Sequence, residues 1–399
     1  MKRLTLRWRL VLTLIGVGLA IGGALLAGHA GETGSKGGVM LYEATVVAFM
    51  IAAASFLADA LAVTPAIFEI LFGLLIAVRG MHGDNLLGLL SLAGSVFLMY
   101  IAGLEIDPTL LRREFKSGLL IGGASVVVPL VAVYTVLYWT GYTRMQALLT
   151  GLGVSTTGVA IVYSIIKSVG LLRRRIGQLI FSSAMIADVI VVLSFTFIVS
   201  SKNLSLLLYF AFVLVFPVLF AKAIDWLPHS SAEAELRIII AALIGASLLS
   251  EHVGIHAVLF AFILGIATRG FIEKRRLLEA KISGLTFGFL APVFFVYAGM
   301  NAMPSGVGSS LKTALLLFVL SYTLKVAASY MGLKVLTGVG DLRLASVFGA
   351  RLTMSTVIAF TGQAAGILSS TLAGGIILSA LLATITTAVL TRTAVTNEV

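Results

Sequence analysis

Ser182–Phe195 reads SSAMIADVIVVLSF, an apolar run with a single acid, Asp188, near its middle. No Lys, Arg or His lies within ten residues of Asp188 on either side, so nothing local neutralises it. The surrounding apolar segment, about 176–200, is long enough to cross a hydrocarbon core as a helix, which takes about 20 residues. A carboxylate at that depth costs at least a few kcal/mol, roughly 2.5–3.5 on insertion scales, unless it faces a bundle interior or a watery cavity.

Segments of the same kind recur from end to end. The 399 residues are 59% hydrophobic and 11% charged, with a mean hydropathy of +1.09. A soluble globular domain carries about 25% charged residues, and the period-2 alternation of a membrane β-barrel is absent. The sequence predicts an all-α polytopic membrane protein. Cys is absent and the five His are scattered, which excludes a disulfide framework, thiol chemistry and a Cys/His metal centre. The net charge of +11 does not point to nucleic acid, because cytoplasmic loops of membrane proteins collect Lys and Arg.

Fourteen apolar segments can be drawn between residues 10 and 392, about 13 of them transmembrane helices after an extra one at the N-terminus. Basic clusters MKRLTLRWR at the start, RREFK at 112–116, RRR at 173–175 and EKRR at 273–276 all fall on one side when the segments alternate from a cytoplasmic N-terminus. The C-terminus is then cytoplasmic too, in a protein of the cytoplasmic membrane. Residues 1–40 read either as a retained hydrophobic helix or as a secretory signal ending near LLAGHA. Beyond them, 41–200 and 236–399 read as two halves of opposite orientation, joined by a linker helix within 201–235. Inverted repeats with a site at the midplane characterise secondary transporters.

Each half carries a segment whose helix is expected to unwind. TGLGVSTTGVAIV at 150–162 sets glycines around Ser155, Thr156 and Thr157, and GARLTMSTVIAFTGQ at 349–363 carries Arg351, Thr353, Ser355 and Thr356. Glycines and hydroxyls let a membrane helix open where its backbone lines a cavity; close packing of small residues is the plainer reading. Lys325, in LSYTLKVAASY, has apolar-biased sequence on both sides, which makes snorkelling to an interface difficult. Glu69 in TPAIFEILFGLL is a lesser candidate. Glu105, in YIAGLEIDP, falls near RREFK, where an ordinary ion pair would explain it.

Taken in order, these segments resemble the monovalent cation–proton antiporter superfamily, in particular the bacterial and archaeal sodium/proton exchangers of its second branch. TPAIFEILFGLLI is similar to that family's second helix, with Phe68 at a usual glycine; GSVFLMYIAGLEID, GVSTTGVAIVYSI, SSAMIADVIVVL and LAPVFFVYAGMNAM resemble later segments, over about 41–392. The resemblance implies inverted repeats with two crossing unwound helices, a homodimer, a role in pH homeostasis and no cofactor. It also implies buried roles for Lys325 and Arg351. Two positions depart from the pattern. The family's Asp-Asp or Asn-Asp pair is Ala187-Asp188 here, which removes the acid that pairs with the lysine, and Thr353 stands where a glutamate is common.

The expected function is therefore antiport, not enzymatic catalysis. Asp188 would hold either a monovalent cation or a proton, with Asp188 and Thr156 as cation ligands and Ser155 and Thr157 completing an oxygen cage. Sodium is the first candidate and potassium the second. With Ala187 uncharged, one-for-one electroneutral exchange is the simpler expectation, although a buried lysine without an acidic partner could release a proton and make exchange electrogenic. A sodium-coupled organic-anion symporter of the bile-acid-transporter type is the alternative. A potassium channel would need a TVGYG filter, which is absent. The Gly-Val-Gly-Asp at 338–341 sits in a polar turn and makes a poor intramembrane protease signature.

Overall fold

The computed structural model describes residues 11, 14–19, 22, 36–61, 64–78, 85–106, 109, 113–168, 171, 174–199, 215–224, 231–253, 257–301 and 307–395. Among these residues there is no strand. Among the described residues eight helices are long and apolar enough to cross a membrane, and two shorter apolar helices, Pro65–Val78 and Val215–Ile224, accompany them. Of the apolar segments expected from sequence, the first and the one at 204–226 lie largely outside the described residues. So do MKRLTLRWR, Arg112 and Arg173 of the basic clusters.

The chain divides into two compact units, and each takes residues from both halves of the sequence. The first comprises Met1–Ser95 and Gly284–Ser310. Its helices are α1 (Lys36–Leu61), α2 (Pro65–Val78), the start of α3 (Asn85–Glu105) and α12 (Ala291–Met300). Here α2 crosses α12 at reciprocal glycines: a Cβ on Gly73 would collide with the Val296 carbonyl, and one on Gly299 with the Ile70 carbonyl. Small residues at both contact points let the backbones touch, which is how helices gain contact where lipid offers no hydrophobic drive. Val46, Met50, Ile76, Val293 and Val296 fill the space around this crossing.

The second unit comprises Val96–Ser283 and Leu311–Val399. In chain order it holds the rest of α3, then α4 (Phe115–Trp139), α5 (Arg144–Gly153), α6 (Val159–Ser168) and α7 (Arg175–Val199). After the helix Val215–Ile224, here α8, come α9 (Ala232–Val253), α10 (Ala257–Glu273) and most of α11 (Arg276–Leu285). The unit closes with most of α13 (Val307–Thr337), then α14 (Leu342–Ser346), a 3-10 turn at Val347–Gly349, α15 (Thr353–Ala364) and α16 (Ser370–Val395). Helix α13 stops at Gly338, whose φ of 72° is left-handed backbone that glycine adopts without penalty. The apolar segments at 145–168 and 342–366 are thus each split into two helical pieces.

In this unit α4 and α7 pack along another glycine seam. A Cβ on Gly122 would meet the Ser183 carbonyl and the Ala187 backbone nitrogen, and one on Gly118 the Ile186 and Ser182 side chains. The uncharged Ala187 is therefore buried at a close helix–helix contact, and the next residue on α7 is Asp188.

Candidate cation site at the crossed helix breaks

The site grows from the first break. Helix α5 begins with a reciprocal capping box, the Gln146 backbone N–H donating to Thr143 Oγ1 at 3.3 Å and the Thr143 backbone N–H to the Gln146 side chain at 3.2 Å. It ends at Gly153, and residues 154–158 run out of helical conformation before α6 starts at Val159. The last carbonyls of such a helix have no intrahelical donor. In a dry interior each must find one or cost about 1–3 kcal/mol.

Hydroxyls take the first of them. Ser155 Oγ donates to the Gly151 carbonyl at 2.6 Å, and Ser355 Oγ, on α15, donates to the Gly153 carbonyl at 2.7 Å. Thr156 Oγ1 lies 2.7 Å from Ser355 Oγ. The two breaks cross directly: the Gly158 backbone N–H donates at 2.7 Å to the carbonyl of Ala350, which is in extended conformation just past the 3-10 turn. Thr384 of α16 holds the second break, accepting from the Arg351 N–H at 3.3 Å and donating to its carbonyl at 3.1 Å.

Two cations take the next carbonyls in order. Arg351 donates to the Val154 carbonyl and, at 2.6 Å, to Ser321 Oγ. Lys325 donates to the Ser155 carbonyl and, at 3.2 Å, to the Ser125 carbonyl. The last of these has a reason in the sequence. Ser125 lies on α4, and its helical donor would be the N–H of residue 129, which is proline. Proline has no N–H and cannot close that bond, so the Ser125 carbonyl is left for Lys325. Both cations are 0% exposed. Among the described residues both donate to oxygen dipoles, including those at the negative C-terminal end of α5, and neither is hydrogen-bonded to an acid.

Asp188 is 5% exposed, on a helix that packs against α4, α5 and α6. Its Oδ1 has no hydrogen-bond partner among the described residues, and neither has Thr157 Oγ1. Asp188 and Lys325 feel one another's charge, yet no ion pair joins them among the described residues. Glu105, the last residue of α3, feels the charge of Asp188 and, among the described residues, that of Arg269 on α10. Arg269 ties the two helix ends together by donating to the Leu104 carbonyl at 2.8 Å.

Of the residues singled out in the sequence, Ser155, Thr156, Lys325 and Arg351 are therefore joined in one hydrogen-bonded constellation, with Thr157 inside the same break and Asp188 within charge range. Thr353 opens α15, half-buried, and its side chain bonds to none of the described residues. Glu69 is 3% exposed on α2, in the first unit. The sequence reading missed Ser125, Ser321 and Thr384; a proline within an apolar helix, Pro129, was the one signal that could have pointed to Ser125. Among the described residues no three His, Cys, Asp or Glu gather as a metal cluster.

Comparison with known proteins places the chain in a family. Residues 44–395 match the family described as "Sodium/hydrogen exchanger, transmembrane". The chain is 27% identical over 346 residues to the probable Na(+)/H(+) antiporter 3 of Methanocaldococcus jannaschii, covering 81% of this chain and 88% of that one. It is 28% identical over 330 residues to the Na(+)/H(+)-K(+) antiporter GerN of Bacillus cereus, covering 78% and 84%. Its fold is that of the sodium proton antiporter MjNhaP1 from M. jannaschii, with a TM-score of 0.64 at 15% identity over 89% of this chain and 97% of that one. With a match running through both breaks and the Asp188 helix, the chain belongs to the sodium/hydrogen exchanger family.

Proposed function

We propose that the protein is a secondary active antiporter that exchanges a monovalent cation for protons by alternating access, with Asp188 as the exchanging group. One observation carries this reading. Lys325 and Arg351 are both committed to backbone carbonyls, which leaves a buried carboxylate oxygen of Asp188 without a partner. A bare buried carboxylate is costly; a proton or a cation relieves that cost, and each excludes the other. The empty, charged form is the one the moving protein avoids, and this couples inward proton flow to outward cation flow.

Asp188 and Thr157 supply the first oxygens for a hard cation on this reading. Ser155 and Thr156 shape the break, and the lone pairs of Thr156 Oγ1 remain open to the ion. Sodium is the first candidate and potassium the second, in keeping with the names of the relatives, which lend no support to an organic-anion symporter. Electroneutral exchange is favoured because Ala187 carries no charge and Lys325 donates to backbone carbonyls. The division into repeats 41–200 and 236–399, with 1–40 ahead and 201–235 between, accounts for one break coming from each half. The protein acts as a homodimer in the cytoplasmic membrane with its C-terminus inside.

The test is proton flux in proteoliposomes under an imposed sodium or potassium gradient, for wild type and Asp188→Asn, with the membrane potential clamped or free. Cation-driven proton movement that vanishes in the variant and ignores the clamp is the expected result. Normal exchange by a correctly folded Asp188→Asn would make Asp188 a structural acid.

A further inference from the structure

Away from the crossed breaks, the second unit contains a cavity of about 260 Å³ lined by Arg174, Arg343, Asp341 and a set of apolar side chains. Neither arginine side chain has a hydrogen-bond or ion-pair partner among the described residues. Asp341 offsets only one of the two charges, and one of its oxygens caps α14, accepting from the Arg343 backbone N–H at 2.7 Å, so the lining keeps a net positive charge. Thr391, on the cavity wall, spends its hydroxyl on the Thr387 carbonyl at 2.8 Å. Two uncommitted guanidiniums thus share a cavity whose remaining walls include Ile165, Leu171, Ile176 and Leu344.

We propose that this cavity binds a phosphate-bearing anion. The guanidinium fork matches phosphate oxygens in pairs, and the apolar walls suit the group to which the phosphate is attached. Pockets for drug-sized ligands run about 300–1,000 Å³, so the volume fits an ion or a lipid headgroup better than a whole nucleotide. Arg174 belongs to the basic cluster at 173–175, which positive-inside reasoning puts at the cytoplasmic face, where anionic headgroups and free phosphate are both within reach.

The position gives the occupant a lever on transport. Ile165 lies on α6, directly after the first break; Arg343 and Leu344 lie on α14, directly before the second. Val347, also on the wall, packs in one cluster with Ile166, Phe348 and Val326, the last being the neighbour of Lys325 in sequence. An anion bridging Arg174 and Arg343 would clamp the flanks of both breaks.

The experiment uses the purified full chain in nanodiscs, followed by thermal unfolding. One arm compares phosphatidylcholine alone with phosphatidylcholine containing phosphatidic acid; the other compares inorganic phosphate with chloride at equal ionic strength in pure phosphatidylcholine. The double variant Arg174→Gln/Arg343→Gln and the single Arg174→Gln, at an exposed position that folding should tolerate, run alongside. A saturable rise in melting temperature in either arm, lost in the double and reduced in the single variant, supports the site. A rise in the lipid arm alone assigns a headgroup, and a rise with phosphate alone assigns the free ion. No rise in either arm, or an equal rise in the variants, overturns the proposal.

Discussion

If Lys325 is held by carbonyls, replacing it should be judged by whether the replacement can still donate to them. Lys325→Leu removes the Lys325 donor from the Ser125 and Ser155 carbonyls. Lys325→Gln keeps an amide that can reach at least one. Both variants lack the ammonium, so the desolvation relief that complicates any buried-charge deletion cancels in their difference. One recovered carbonyl is worth about 1–3 kcal/mol and two about 2–6 kcal/mol. At about 2 °C per kcal/mol for a large domain, Lys325→Gln should melt about 2–12 °C above Lys325→Leu in the same detergent. Fluorescence-monitored unfolding of the two purified variants beside wild type makes the measurement. A leucine variant that melts with or above the glutamine variant would show that these carbonyls do not depend on residue 325. The same pair bears on proton counting: if Lys325 only donates hydrogen bonds, exchange by Lys325→Gln stays insensitive to membrane potential.

Gly122→Ala places a methyl against the Ser183 carbonyl and should cost about 1–3 kcal/mol as overpacking, lowering both the melting temperature and exchange. Gly123→Ala meets nothing within 4 Å and serves as the matched control, expected to equal wild type in both assays. Gly158→Pro deletes the N–H that joins the two breaks through Ala350 and should cost about 1–3 kcal/mol with loss of transport. Gly158→Ala meets its nearest atoms at 3.3–3.4 Å and should keep most activity; if both variants transport equally, that bond does not hold the crossing. Pro129→Ala restores a helical donor to the Ser125 carbonyl, which has a second lone pair for Lys325. It should melt at or above wild type, and a marked fall in melting temperature would contradict the account of α4.

What the sequence disclosed depended on whether a feature was local. Asp188 stood out because a lone acid in an apolar run is costly wherever the chain goes. The unwinding of 150–162 was legible from its glycines and hydroxyls. The partners of that break were not: the Gly158–Ala350 bond joins residues far apart in the chain, and nothing in either segment specifies the other. Gly73 and Gly299 show the same limit, each reading as a generic small residue until the helices that bear them are seen to cross. Thr353 and Glu69 were singled out as polar residues in apolar segments; the Thr353 side chain bonds to none of the described residues, and Glu69 lies in the first unit.

The hardest position to read was Lys325, because the chemistry that answers it belongs to the backbone. From side chains alone, losing an acid at Ala187 leaves a buried ammonium without a counter-charge, which should either expel the lysine or make it titrate. A helix that stops at Gly153 and another interrupted at Pro129 each expose a carbonyl, and two dipoles can meet one ammonium without contributing any net charge. Ala187 is then free to be small and to pack at the Gly122 seam, where an acidic side chain would need room between touching helices. Asp188, one residue on, keeps an oxygen with no fixed partner. On the proposed reading, alanine at 187 has two linked effects: Lys325 donates to backbone carbonyls, and a single carboxylate, Asp188, would carry the exchange.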